Sequence, residues 1–122
     1  MNTEISCPVL YVSDLSNALK YYIEILGFKR EFIYGDPVYY AGLNKEKAIL
    51  HLCKPNCCPD RIGKGSVYFF CDEVDEYYKE LTEKGVEVRK ELIEGSHGMR
   101  NFQITDMDGN FLAFGSKVEI RG

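Results

Sequence analysis

The chain has 122 residues, enough for one domain with its own core, and a composition of 45% apolar and 28% charged residues excludes a disordered chain. Fifteen basic against nineteen acidic side chains leave a net charge of −4 with no Lys/Arg cluster, which argues against nucleic acid and anionic membrane as partners. The opening "MNTEISCPVLYV" carries Glu4 and no basic stretch followed by a long apolar run, so neither a signal peptide nor a membrane span is expected, and the cytoplasm is the expected location.

In chain order, the first predicted element is a strand, Val9 to Val12, that stops at Asp14. An aspartate there can accept the orphan N–H groups of a following helix and sits at the positive end of its dipole. Leu15, Ala18, Leu19, Tyr22 and Leu26 recur at helical spacing, and Gly27 tolerates the left-handed conformation on which helices commonly end. A strand "FKREFIY" follows, then "VYYAGLNKEKAILHLC", which reads as a hairpin turning at "NKEK". The stretch "CKPNCCPDRIGKG", with two prolines and two glycines, reads as a linker.

The pattern then begins again. A strand from Val67 to Cys71 stops at Asp72, the helical stripe is Val74, Tyr77, Tyr78 and Leu81, and Gly85 ends it. Val9 falls on Val67, Asp14 on Asp72 and Gly27 on Gly85 without a gap, a constant separation of 58 residues. The strand "VEVRKELI" and the hairpin "NFQITDMDGNFLAFG", with Asp-Gly between two apolar runs, complete the copy. Aligning Leu50 and Leu52 with Leu112 and Phe114 raises the separation to 62, which places about four extra residues near "EGSHGMR". The expected fold is therefore α+β: two βαβββ modules in a single domain 1–122, with module one at 1–56, the linker at 57–65 and module two at 66–122.

Several side-chain groups invite chemistry. In "LHLCKPNCCPD", His51, Cys53, Cys57 and Cys58 offer four nitrogen or sulfur donors, the number zinc takes. Adjacent Cys57 and Cys58 project in different directions, however, and no second Cys-x-x-Cys knuckle exists. Set against zinc is a proline-bounded linker with reduced thiols, as an odd count of five cysteines and the expected compartment suggest; a Cys57–Cys58 disulfide is the third reading. "DMDGN" alternates carboxylates like a calcium loop, but its glycine is misplaced and no closing Glu follows, so a hairpin turn is the better reading. His97 beside Ser96 lacks a neighbouring acid and Cys7 lacks a base, so covalent catalysis has no support.

Two modules that each open strand-Asp-helix-Gly resemble the vicinal oxygen chelate superfamily, the glyoxalases, bleomycin resistance proteins and dioxygenases. "PVLYVSDLSNALKYYIEILGF" and "GMRNFQITDMDGNFLAFG" look like the opening and closing signatures of its bleomycin-resistance branch. That resemblance implies four metal-ligand slots, which fall here on Cys7, His51, Gly65 or Ser66, and Ala113. Three of the four lack His or Glu, so the metal site of the enzymes is expected to be lost, with His51 its one remnant, and no cofactor is expected. The same resemblance implies an aromatic ligand crevice in a homodimer. In it Phe32 matches a pocket phenylalanine, His97 stands where the branch often has tryptophan, and Met99 and Phe102 continue that segment. Tyr34, Tyr39, Tyr68 and Phe70 are added by their placement on strands, where a tyrosine offers an apolar ring and a hydroxyl. Pro8 resembles the proline at which the first strand crosses to the partner subunit, and reads equally as an ordinary edge-strand proline.

The expectation is a non-catalytic protein that binds a small molecule, bleomycin or another aromatic or antibiotic ligand, and acts by sequestration. The alternative is a metal-dependent lyase or isomerase of the glyoxalase I type, or an extradiol-type dioxygenase, using His51 and a divalent metal. A member of the superfamily with a regulatory or structural role is the third possibility.

Overall fold

Asp14 begins the first helix as its side-chain chemistry requires. Its Oδ1 accepts from the Asn17 backbone N–H and its Oδ2 from the Asn17 side-chain amide, both at 3.0 Å, so a donor of the first turn is satisfied locally. The computed structural model, which describes residues 1–95 and 98–117, places strand β1 (Val9–Tyr11) before this cap and helix α1 (Leu15–Lys20) after it, continued by a π turn over Tyr21–Ile25. Strands β2 (Lys29–Gly35), β3 (Val38–Lys45) and β4 (Ala48–Cys53) complete a sheet of order β1-β4-β3-β2, in which only β1 and β4 are parallel. A 3-10 turn at Pro59–Arg61 leads to β5 (Ser66–Phe70), α2 (Val74–Glu83), β6 (Val88–Glu94), β7 (Met99–Thr105) and β8 (Phe111–Lys117). Their sheet repeats the plan, β5-β8-β7-β6 with β5 parallel to β8. The α+β fold of two βαβββ modules is thus observed. The chain divides into two units, Met1–Gly65 and Ser66–Gly122, each with its own core. No helix among the described residues is long and apolar enough to cross a membrane.

In the first unit Leu15, Ala18, Tyr22 and Leu26 are buried together with Leu10, Val12, Phe28, Ala41, Leu43, Leu50 and Leu52. In the second, Phe69, Val74, Leu81, Phe102, Ile104, Leu112 and Phe114 play that part. Each list joins the helical stripe to every second residue of the strands, as a one-sided sheet under one helix demands. Arg100 on β7 also donates to both Asp75 oxygens on α2, at 2.7 and 3.1 Å, and holds the Asp75 carboxyl below its ordinary range. The stabilisation from this pair is complete above the ordinary Asp range and is lost as pH falls through the lowered value; its exposure keeps it small and salt-sensitive.

The repeat is not gapless. Val9 lies opposite His51 and Tyr68 opposite Ala113, and the helices start at Leu15 and Val74, so the first strands and the helix starts correspond at a separation of 59 residues. The glycines correspond at 58. Module one therefore fits one more residue into its helix, and the π turn holds it: the Leu26 N–H reaches back to the Tyr21 carbonyl at 3.1 Å and Phe28 to Tyr22 at 2.9 Å, whereas Val86 reaches only to Leu81, at 3.1 Å. Two expectations change with the register. Asp72 does not cap α2; the N-cap is Glu73, left-handed at φ 45° and without a side-chain cap bond. The uncertain third slot, Gly65 or Ser66, becomes Ser66, the residue equivalent to Cys7.

Candidate functional site

With Ala41, Leu43, Leu50 and Leu52 turned to the core, alternation leaves Tyr40, Gly42 and Asn44 of β3 and Ile49, His51 and Cys53 of β4 on the face without a helix. They stand opposite one another as Tyr40–Cys53, Gly42–His51 and Asn44–Ile49. Val9 joins through its pairing with His51, and Phe32 through its pairing with Gly42. Here a glycine is required for space: a Cβ at Gly42 would collide with the Phe32 ring.

Three rings meet on this face. Phe32 and His51 contact edge-on at 5.3 Å, as do Tyr40 and His51, and Phe32 and Tyr40 stack at 6.3 Å and 13°. The Tyr40 hydroxyl lies 2.8 Å from His51 Nδ1. Burial, reinforced by the thiols of Cys7 and Cys53 and by Tyr11, pushes the Tyr40 phenol up, so it keeps its proton at neutral pH. A phenol that donates its hydrogen bond to Nδ1 selects the tautomer with the ring proton on Nε2, which makes Nε2 a defined donor. The Cys7 thiol is also pushed up by burial, against the opposing bond from the His51 backbone and with Glu31 adding to the rise, and burial likewise raises Cys53. These groups present uncharged hydrogen-bonding atoms beside aromatic surface.

On the second sheet Phe111, Ala113 and Gly115 of β8 take the helix-free face, with Tyr68 opposite Ala113, Phe70 opposite Gly115, and Asn101 opposite Gly115 from β7. Tyr68, Phe70, Gly95, Met99 and Asn101 line a cleft of about 220 Å³, below the ~300–1,000 Å³ of pockets that enclose a drug-sized ligand and large enough for one ring system. The Tyr68 hydroxyl lies over Gly115, where a Cβ would collide with it, and burial raises the Tyr68 phenol. Beside the cleft, the Arg89 guanidinium stacks 4.0 Å over the Phe111 ring and donates to Gln103 Oε1 at 2.7 Å.

The predicted residues have separate fates. Phe32 and His51 are brought together in module one, and Tyr68, Phe70 and Met99 in the module-two cleft. Tyr34 is 64% exposed, and its ring meets Tyr39 at 5.7 Å toward the end of the β2–β3 hairpin. Tyr39 has the parity of Ala41 and Leu43, and its ring covers Gly35, so it does not join the His51 cluster. Tyr40, which does, was missed, although the apolar pair Ala41 and Leu43 in "VYYAGLN" signals that Tyr40, Gly42 and Asn44 face the other way. Phe102 is a correction: it is fully buried among Tyr77, Tyr78 and Phe114 because it shares the inward parity of Ile104. His97 lies outside the described residues.

A divalent metal does not fit the four inherited slots. Module one contributes a protonated Cys7 thiol and a His51 whose Nδ1 is engaged by Tyr40; module two contributes the Ser66 hydroxyl and the methyl of Ala113, which can donate nothing. Among the described residues no three His, Cys, Asp or Glu side chains are placed to hold an ion, the set His51, Cys53, Cys57 and Cys58 included.

A family model described as the Glyoxalase/Bleomycin resistance protein/Dioxygenase superfamily matches residues 5–114. No curated protein matches the sequence at a significant level. Among solved structures, TioX from Micromonospora sp. ML1 superposes with a TM-score of 0.82 at 17% identity, covering 95% of this chain and 100% of its own. TnmS3, an antibiotic binding protein from Streptomyces sp. CB03234, gives 0.80 at 22% identity over 95% and 97% of the two chains. Lactoylglutathione lyase from Agrobacterium tumefaciens gives 0.77 at 22% over 94% of each. At these identities the likeness is one of fold.

Proposed function

The chain belongs to the glyoxalase/bleomycin resistance protein/dioxygenase superfamily, and on that premise we propose that it is a non-catalytic binder that sequesters a small aromatic or antibiotic ligand as a homodimer. The observation that carries this reading is the ring cluster of Phe32, Tyr40 and His51 on a helix-free sheet face, at a position where the superfamily's enzymes keep a metal. Such a face stacks on a planar heterocycle and offers it one oriented imidazole N–H, and the Tyr68–Phe70–Met99 cleft adds a second apolar surface. The neighbouring antibiotic-binding fold of TnmS3 is in keeping with this use. Exposed Val9, Phe32, Tyr34, Tyr68, Phe70 and Phe111 are apolar surface that a second copy would cover. Sedimentation of the purified chain as a dimer is expected, and a monomer at all concentrations would remove that part of the reading.

A panel of bleomycin, phleomycin and smaller planar aromatics is expected to include a ligand that raises the melting temperature. At a hundredfold excess over Kd the stabilisation is ~2.7 kcal/mol, on the order of 10 °C for a chain of this size. Tyr40→Phe removes the hydroxyl that orients His51 and is expected to weaken that ligand about tenfold while the melting temperature of the free protein moves little. Gly42→Ala displaces the Phe32 ring, which at 42% exposure can swing into solvent, so affinity falls by a similar factor at a stability cost within ~1 kcal/mol. Stoichiometric nickel, zinc, iron or manganese in the purified protein, lost in His51→Ala, would overturn the reading in favour of a metal-dependent lyase, isomerase or dioxygenase. A panel without a single shift would favour a regulatory or structural role.

A further inference from the structure

The helix-free face of the second sheet carries a cation that the apolar cleft does not use. Arg89 on β6 reaches toward β7 and β8: its Nη1 donates to Gln103 Oε1 at 2.7 Å, and its guanidinium carbon lies 4.0 Å from the centre of the Phe111 ring. One hydrogen bond in the guanidinium plane and one ring against its flat side fix where the charge sits, although the side chain is exposed. Both partners are uncharged. The ion pairs among the described residues are Lys45–Glu46, Lys84–Glu80 and Arg100–Asp75, so Arg89 is held in place without a carboxylate to neutralise it. Most of its five N–H donors remain unspent.

The rest of the face agrees with that charge. By alternation β7 supplies Met99, Asn101, Gln103 and Thr105, and β8 supplies Phe111, Ala113, Gly115 and Lys117. With Ser66, Tyr68 and Phe70 of β5, these three strands place no Asp or Glu on the face, in a chain whose net charge is −4. The Tyr68 hydroxyl and the Asn101 side chain border the space over Gly115, and among the described residues neither side chain has a hydrogen-bond partner. Burial pushes the Tyr68 phenol up, so it stays a donor at neutral pH. Gln103 stands opposite Ala113 and Asn101 opposite Gly115, which sets the Arg89 corner two residues, ~7 Å, along the strands from the cleft.

Building on the aromatic-ligand reading of the cleft, we propose that this face takes a planar aromatic acid, with its ring in the Tyr68–Phe70–Met99 cleft and a carboxylate on a short arm meeting Arg89. The guanidinium fork matches the two oxygens of a carboxylate. Because Gln103 and Phe111 already hold the fork, little side-chain freedom is lost when the acid arrives. A neutral ligand with the same ring gains nothing from Arg89, and a cationic one is repelled by it. Within a panel of planar aromatics, the charge of the arm therefore sets the ranking.

The probes are 4-(2-naphthyl)butyrate and its primary amide, which share ring and arm and differ in charge. In calorimetric titration of the full-length protein at low salt, the acid is expected to bind about tenfold more tightly than the amide, and the preference should shrink as salt is added. Arg89→Gln should bring the acid down to the affinity of the amide, while the free protein melts close to wild type because the side chain is exposed. Arg89→Lys keeps the charge without the fork and should retain only part of the preference. Gln103→Glu sets a fixed carboxylate against the guanidinium and should abolish the preference with Arg89 still in place. Equal affinity for acid and amide in the wild-type chain would overturn the proposal and leave the apolar cleft standing. Binding of neither probe would overturn it together with the aromatic-ligand reading of the cleft. An acid preference that persists in Arg89→Gln would also overturn it.

Discussion

Replacing Phe102 with alanine is expected to destabilise the protein by ~3–5 kcal/mol. The ring is completely buried, stacks with Phe114 at 5.5 Å and 24°, and takes Tyr78 edge-on at 5.0 Å and Tyr77 at 6.2 Å. Phe114 in turn stacks on Phe69 at 5.0 Å and receives the edge of Tyr77 at the same distance, so a cavity at 102 removes a shared neighbour of both α2 and β8. Against a total stability of ~5–15 kcal/mol, that loss should bring the urea midpoint close to native conditions; Phe102→Leu should cost only ~1–1.5 kcal/mol. Phe70→Ala gives the contrast, since that ring is 80% exposed: stability should stay within ~0.5 kcal/mol while a ligand held by the module-two cleft is lost. A Phe102→Ala protein as stable as wild type but unable to bind would return Phe102 to the pocket.

That pairing marks where the sequence was readable. Element types and order were legible because both modules write helix and strand periods cleanly, and the strand-Asp-helix-Gly opening occurs twice. The one-residue difference between the copies was not. A π turn has no compositional signature, so Tyr21–Ile25 reads as ordinary helix, and the alignment absorbed the extra residue by moving Asp72 onto a cap that Glu73 occupies. Site residues were legible where strand parity was applied. Alternation from the core residues Leu50, Leu52, Leu112 and Phe114 puts His51, Cys53, Phe111, Ala113 and Gly115 on the helix-free faces. Parity was not applied to Tyr39 or to Phe102, which were assigned by aromatic type or by a family segment, and both face away from the ring cluster and the cleft. The Tyr40–His51 bond depends on register across the β3–β4 hairpin, and sequence supplied the hairpin without its pairing.

Asp106→Ala is expected to cost ~3 kcal/mol, and the reason is the turn that resembled a calcium loop. Asp106 is 5% exposed. Its Oδ1 accepts the backbone N–H groups of Asp108 and Asn110 at 2.9 Å each, and its Oδ2 accepts the side-chain amide of the fully buried Asn110 at 2.9 Å. The backbone closes the same loop, with the Asp106 N–H donating to the Asn110 carbonyl at 3.0 Å and Gly109 to the Asp106 carbonyl at 3.1 Å. A carboxylate with three donors in hand is the pivot of the β7–β8 turn. Alanine removes that shared acceptor; buried donors that lose an acceptor cost ~1–3 kcal/mol each, and the half-buried Asp108 N–H recovers part of its share from water. Asparagine keeps the Oδ1 acceptor but turns an NH2 toward the Asn110 amide, donor against donor, so Asp106→Asn should fall between alanine and wild type. Asp108→Asn should be nearly silent by denaturant titration, and calcium should leave the melting temperature unchanged in every variant. A calcium-dependent rise abolished by Asp106→Asn and by Asp108→Asn alike would instead make the two carboxylates ligands and the turn a site.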